Sequence, residues 1–192
     1  MSDPNAWQER QGSEAELAAF RERLERIKRV VEGLPNDNPA RATFRHHVEV
    51  IERAPRIALD VAIPGLMPGR YVRLTTLAVL EEYDVVRFEY EVVPMGEPPT
   101  RANARESRKL GPHWWIVSGR DNLGTAYVDY GGTYGLPEDA VVADGQRDLH
   151  PAPPAAAQWL EIAFHAVGEP ETFEHARYVL RLALPPGAGR DQ

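Results

Sequence analysis

Apolar residues recur every three or four positions from Leu17 to Val31, and every second position from Ile57 onward. The first period is helical and the second is that of strands. Prolines divide the chain at the same place. Of its 17 prolines, only Pro4, Pro35 and Pro39 precede Pro55, and from there prolines and glycines recur at short intervals. The pattern predicts a helical hairpin over residues 1–55, a β-domain over 56–184 and a disordered tail over 185–192.

The first predicted helix has a start, a stripe and a stop. Ser13 and Glu16 have the spacing of a capping box. Leu17, Phe20, Leu24, Ile27 and Val31 form a heptad-like seam, and Gly33 and Pro35 end the helix. In the second, Asn38 is placed to cap and Pro39 to occupy the first helical position. Phe44, His47, Val48 and Ile51 follow at helical spacing before Pro55. This second stripe is too thin to cover the first seam. The seam is therefore expected to dock elsewhere: on a second copy of the chain first, and otherwise on the β-domain or a protein partner.

Seven strands are predicted, over residues 57–63, 72–80, 86–92, 114–118, 125–130, 160–165 and 177–184, with Glu81 to Asp84 turning the second into the third. Short strands without interleaved helices predict an α+β chain that is mainly β. The expected form is an antiparallel immunoglobulin-like β-sandwich preceded by the helical hairpin; a small barrel is the alternative. Phe88, Tyr90, Leu160, Ile162, Leu180 and Leu182 are expected to share one core.

Composition narrows the function. Of 192 residues, 43% are hydrophobic and 27% charged, enough apolar content for a packed core. A net charge of -7 argues against a general nucleic-acid binder. No apolar run is long enough for a membrane span, and the first residues lack a secretory pattern, so a cytoplasmic location is expected. With no cysteine, thiolate metal sites and cysteine nucleophiles are excluded.

The turn Asp121-Asn122-Leu123-Gly124-Thr125-Ala126-Tyr127, after His113-Trp114-Trp115-Ile116-Val117, resembles an Asp-x-x-Gly-x-x-Tyr element. Such elements occur in uncharacterised actinobacterial proteins with an immunoglobulin-like sandwich. The excess of arginine over lysine fits that resemblance, which implies a fold and no activity. Asp and Gly are the residues such a turn needs for its own hydrogen bonds and positive φ, and Tyr127 suits a corner tie.

Trp114, Trp115, Tyr127, Tyr130 and Tyr134, beside Gly131, Gly132 and Gly135, are the candidate binding residues. Adjacent Trp114 and Trp115 face opposite sides of a strand. One is expected in the core, and the other is covered by a loop, with Tyr130 to Tyr134 the expected segment, or by the helical hairpin, or serves as a stacking platform for a ligand. His46 and Glu49 have a metal-clamp spacing without a second pair, and Asp121, Asn122 and Asp129 are too sparse for a dedicated calcium loop. The basic run from Arg101 to Lys109 reads as a solvated loop. Neither Ser107 nor Ser118 sits in a nucleophile elbow, and no phosphate or dinucleotide loop is present. The expectation is a non-enzymatic binding or scaffolding protein with no metal and no cofactor, partnered by a protein or by itself. The alternative is a small-molecule or carbohydrate binder using the aromatic and glycine-rich segment.

Overall fold

The computed structural model describes residues 14–96, 115–135 and 143–184. The tail, Trp114, Ser13 of the capping box and the basic run from Arg101 to Lys109 lie outside these residues. Helix α1 spans Glu14–Glu32 and α2 spans Ala40–Arg53. The first ends where Gly33 N–H donates to the Arg29 carbonyl at 3.0 Å. At the start of the second, Asn38 Oδ1 accepts from Ala40 N–H at 2.9 Å, and Pro39 already has helical dihedrals. The cap and the proline thus do what their residue types predict.

Eight strands follow: β1 Arg56–Met67, β2 Arg70–Leu80, β3 Val85–Pro94, β4 Trp115–Asp121, β5 Ala126–Gly135, β6 Ala143–His150, β7 Trp159–Ala166 and β8 Tyr178–Ala183. A single 3-10 turn, Glu81–Tyr83, with Asp84 left-handed at φ 57°, reverses β2 into β3 as expected. All neighbours are antiparallel, in the order β1-β2-β3-β6-β5-β4-β7-β8. The immunoglobulin-like arrangement divides its strands between two sheets. Here one ladder joins all eight into a curled, nearly closed sheet, and the small barrel is the closer description. The added strand is β6. Its inward positions are Ala143, Gly145, Arg147 and Leu149, so it lacks an apolar alternation.

The six residues expected to share a core do so, inside one curled sheet. Trp115 sits at its centre, with ring centroids 5.0 Å from Tyr90, 6.0 Å from Phe88 and 5.8 Å from Phe164. Such aromatic contacts add to the burial of each ring.

The hairpin lies on the outer face of β1, β2 and β3. Phe20, Leu24 and Val31 of α1 pack with Val48 and Ile51 of α2. Ile51 also belongs to a second cluster with Ala78, Leu80 and Val85 of the sheet, and so joins helices to strands. The Arg56 guanidinium lies 3.5 Å from the centre of the Phe20 ring and donates to the Ile51 carbonyl at 2.6 Å. Most of the seam is therefore covered within the chain. Leu17 is half-buried, and Ile27, Val30 and Phe44 remain exposed.

Candidate functional site

The strand register decides which side chains can meet a ligand. On β3 and β6, Phe88 pairs with Arg147 and Tyr90 with Gly145 on the inner face; Arg87 pairs with Asp148, Glu89 with Gln146 and Glu91 with Asp144 on the outer face. Helix α1 stands beside that outer face without closing over it. Between them runs a groove of about 330 Å³. Phe20, Leu24 and Ile27, with Ile51 of α2, make its apolar wall. Arg87, Glu89, Thr133, Asp144 and Gln146 make its polar floor, and Tyr134, Gly135 and Gly145 lie at its base.

The groove's charges are unevenly matched. Arg23 Nη1 donates to Glu89 Oε2 at 3.0 Å, while its Nε stands 3.8 Å from Asp144 Oδ2. Burial holds the Asp144 carboxyl above its ordinary pKa, and the Arg23 charge only partly offsets this. Arg87 clamps Asp148 through Nε and Nη2, both at 2.8 Å. Its buried Nη1 has no hydrogen-bond partner, and neither has the Tyr90 hydroxyl. That hydroxyl sits beneath Gly145, where a Cβ would come within 2.5 Å of it. The Tyr90 ring is stacked on Tyr134 with centroids 6.4 Å apart. Burial raises the Tyr90 pKa, so the phenol is a neutral donor.

Of the five aromatic residues expected to form a binding surface, Trp114 lies outside the described residues and the structure disperses the other four. Trp115 and Tyr127 are core residues, each 1% exposed. Trp115 is enclosed by Phe88, Tyr90 and Phe164, with the Arg147 guanidinium 4.5 Å from its ring centre, so the segment from Tyr130 to Tyr134 is not its main cover. Tyr130 is exposed beside His150, away from the groove. Of the four that are described, Tyr134 alone lines the groove. From the expected docking seam, Phe20, Leu24 and Ile27 form its wall.

The conceivable metal residues are engaged elsewhere. His46 meets Glu82, and His47 Nδ1 lies 3.0 Å from the Tyr83 hydroxyl. Asn122 Oδ1 accepts from Gln158 N–H at 2.6 Å, and Asp129 Oδ2 accepts from Arg147 at 2.5 Å. Asp121 is held by its own turn: its Oδ1 accepts from the N–H groups of Leu123 and Thr125, and Gly124 adopts φ 84°. Among the described residues no group of three or more His, Asp or Glu side chains is placed to hold a metal ion. Ser118 Oγ lies 3.0 Å from Nε2 of His165, a pairing that sequence spacing does not reveal. His165 is 0% exposed, so the contact ties β4 to β7 inside the protein.

Arg23, Arg87, Glu89, Thr133, Asp144, Gly145 and Gln146 went unnoticed in the sequence as site residues. Arg87 and Glu89 are legible as the polar face of an alternating strand. Asp144, Gly145 and Gln146 belong to the strand that lacks alternation.

No protein-family model matches the chain, and no curated protein does. Among solved structures, it is similar to the crystal structure of the conserved domain protein from Bacillus anthracis, at 12% identity and a TM-score of 0.35. The match covers 68% of this chain and 47% of that one, so this chain spans about half its length. No helix among the described residues is long and apolar enough to cross a membrane.

Proposed function

We propose that this chain is a non-enzymatic binding protein whose site is the groove between α1 and the outer face of β3, β6 and β5. The observation that carries the reading is the mixed lining. An apolar wall of Phe20, Leu24, Ile27 and Ile51 faces a floor holding an under-compensated, half-buried carboxylate, Asp144, and an unpartnered guanidinium nitrogen on Arg87. A ligand with one apolar and one polar side satisfies both, and the volume is within the range of small-molecule sites, about 300–1,000 Å³. The test is a thermal-shift screen of small amphipathic molecules on the full chain and on Thr133→Trp, which places an indole in the groove from an exposed strand position. Hits that stabilise the native chain and not the variant support the site; equal shifts for both place the binding elsewhere.

A second reading, docking through the helices, is favoured by the exposure of Ile27, Val30 and Phe44, at 43%, 66% and 50%. It predicts a concentration-dependent mass in sedimentation that Phe44→Asp reduces. A monomeric mass at all concentrations removes the self-association form of this reading.

A further inference from the structure

We infer that the β7–β8 connection, residues 167–177, is a proton-released strap: a proton on His165 lifts it from the outer face of β4 and β7 while the sheet stays folded. On β7, Leu160, Ile162 and Phe164 turn into the core, so His165 turns outward, yet it is 0% exposed. The connection covers it, bringing Glu169, the Pro170 carbonyl and Glu171 to the imidazole. Leaving β7, the chain turns through Gly168 at φ 88°, and Glu169 N–H donates to the Ala166 carbonyl at 3.1 Å. It reaches over to β4, where the Arg120 guanidinium lies 4.3 Å from the centre of the Phe173 ring. It rejoins β7 at Arg177, whose N–H donates to the Phe164 carbonyl at 2.8 Å. Across the neck, Arg177 Nε donates to both carboxylate oxygens of Glu169, at 3.0 and 2.8 Å.

The closed site suits a neutral ring. Nε2 of His165 lies 3.0 Å from Ser118 Oγ, and the buried Nδ1 has no hydrogen-bond partner. An imidazolium there is a buried cation with two donors and one hydroxyl to receive them. No carboxylate bonds it. Glu169 is engaged by Arg177, and Arg120 of β4 donates through Nε to Glu161 of β7 at 2.6 Å. Burial lowers the His165 pKa, and Glu171, Glu169 and the Pro170 carbonyl offset this only in part. The hydrogen bonds from Arg177 hold the Glu169 carboxyl below its ordinary value, so the neck stays charged through the histidine range and His165 is the group that acts. Lifting the strap hydrates the imidazolium and breaks no rung of the β-ladder. The sign follows. A histidine depressed in the closed state keeps the strap down above its open-state value, about 6.5, and releases it as pH falls toward the closed-state value. Release bares the Ser118–His165 pair, a polar site that neutral pH keeps shut.

Hydrogen exchange on the full chain from about pH 7.5 down to about pH 4 tests this, read as protection factors so that the pH dependence of intrinsic exchange is removed. The strap amides to follow are Glu169, His175, Ala176 and Arg177, each hydrogen-bonded when the strap is closed; those of β3 and β6 are the reference. Below about pH 6.5 the strap should lose protection by up to about tenfold per pH unit, the limit for one coupled proton, while the strands keep theirs. The loss should follow the titration of the His165 ring proton on Cε1. His165→Gln should abolish the pH dependence, and His175→Gln should leave it, because that ring is exposed and bonded to Thr172. A strap protected equally at all pH values would overturn the inference, and so would strap and strands losing protection together. A pH dependence that survives His165→Gln would overturn it as well. If that variant does not fold, the native chain decides alone: loss that tracks His165 supports the strap, and loss confined to the carboxylate range, near pH 4, assigns release to the Glu169–Arg177 neck and overturns it.

Discussion

The phenolic hydroxyl of Tyr127 donates to Oδ2 of Asp121 across 2.7 Å, wholly inside the protein. Oδ1 of the same carboxylate accepts the N–H groups of Leu123 and Thr125, at 2.8 and 3.0 Å. One carboxylate thus closes the β4–β5 turn and fastens it to the core. Burial pushes the Asp121 pKa up, and the bonds from Tyr127, Thr125 and Leu123 together more than offset this, leaving it below the ordinary value. A depressed carboxyl stabilises the fold above its unfolded pKa and ceases to do so as pH falls through the folded value. Tyr127→Phe should cost about 1.5–3 kcal/mol, the range for a hydrogen bond to a charged group. The native chain should lose stability below about pH 4 more steeply than Asp121→Asn does. Urea unfolding across the acid range measures both, and parallel curves for native and Asp121→Asn would detach the carboxylate from acid sensitivity.

Gly145 and Tyr90 are a matched pair across β3 and β6. A Cβ on residue 145 would stand 2.5 Å from the ring carbon and oxygen of Tyr90 and 2.6 Å from the Thr133 carbonyl. Gly145→Ala should therefore destabilise by about 1–3 kcal/mol, the range for overpacking. Combining it with Tyr90→Leu should cost less than the sum of the two single changes. Strict additivity in the unfolding free energies would show that the alanine is accommodated without touching the ring.

Burial lowers the pKa of His165 against the smaller opposing pull of Glu171, Glu169 and the Pro170 carbonyl, and burial lowers that of His47 likewise. A histidine depressed in the folded state contributes stability above its unfolded value, about 6.5, and loses it as pH falls through the folded value. The unfolding midpoint should fall between pH 7 and pH 5, and His165→Gln should flatten that slope. An unchanged slope in the variant assigns the proton uptake to other groups.

Much of the fold was legible because its elements carry their own periods. The seam from Leu17 to Val31 is helical wherever it docks, and Val86 to Val92 alternates whatever lies beside it. β6 was not legible because its inner face is defined by its neighbours: Gly145 makes room for Tyr90, and Arg147 answers Asp129 and the Trp115 carbonyl. Lone Gly and Arg residues in a polar stretch announce neither fact. The closure of the sheet was hidden for a related reason, since alternation gives the face of each strand and not the identity of its neighbour. The site suffered most. Trp115 and Tyr127 are the large aromatics that cores take first, and the polar groups of the groove come from a helix and three strands far apart in sequence.

The attachment of α1 to the sheet rests on Phe20. Its ring is 6% exposed, lies under the Arg56 guanidinium at 3.5 Å, and shares a cluster with Leu24, Val31 and Val48. Burial drives the Arg56 pKa down to about 10, so the guanidinium remains charged at neutral pH and interacts with the ring face as a cation. Truncating a buried phenylalanine to alanine costs about 3–5 kcal/mol when the whole domain unfolds as one unit. Here the helix can part from the strands without breaking any rung of the β-ladder, so the loss should fall on α1 before it reaches β2 and β3. Phe20→Ala should abolish much of the hydrogen-exchange protection of α1 while β3 and β7 keep theirs, and Phe20→Leu should give an intermediate result because it restores apolar volume without the ring. Equal loss of protection in helix and strands would show that hairpin and sheet unfold together. An undisturbed α1 would show that Leu24, Val31 and Val48 hold it without Phe20.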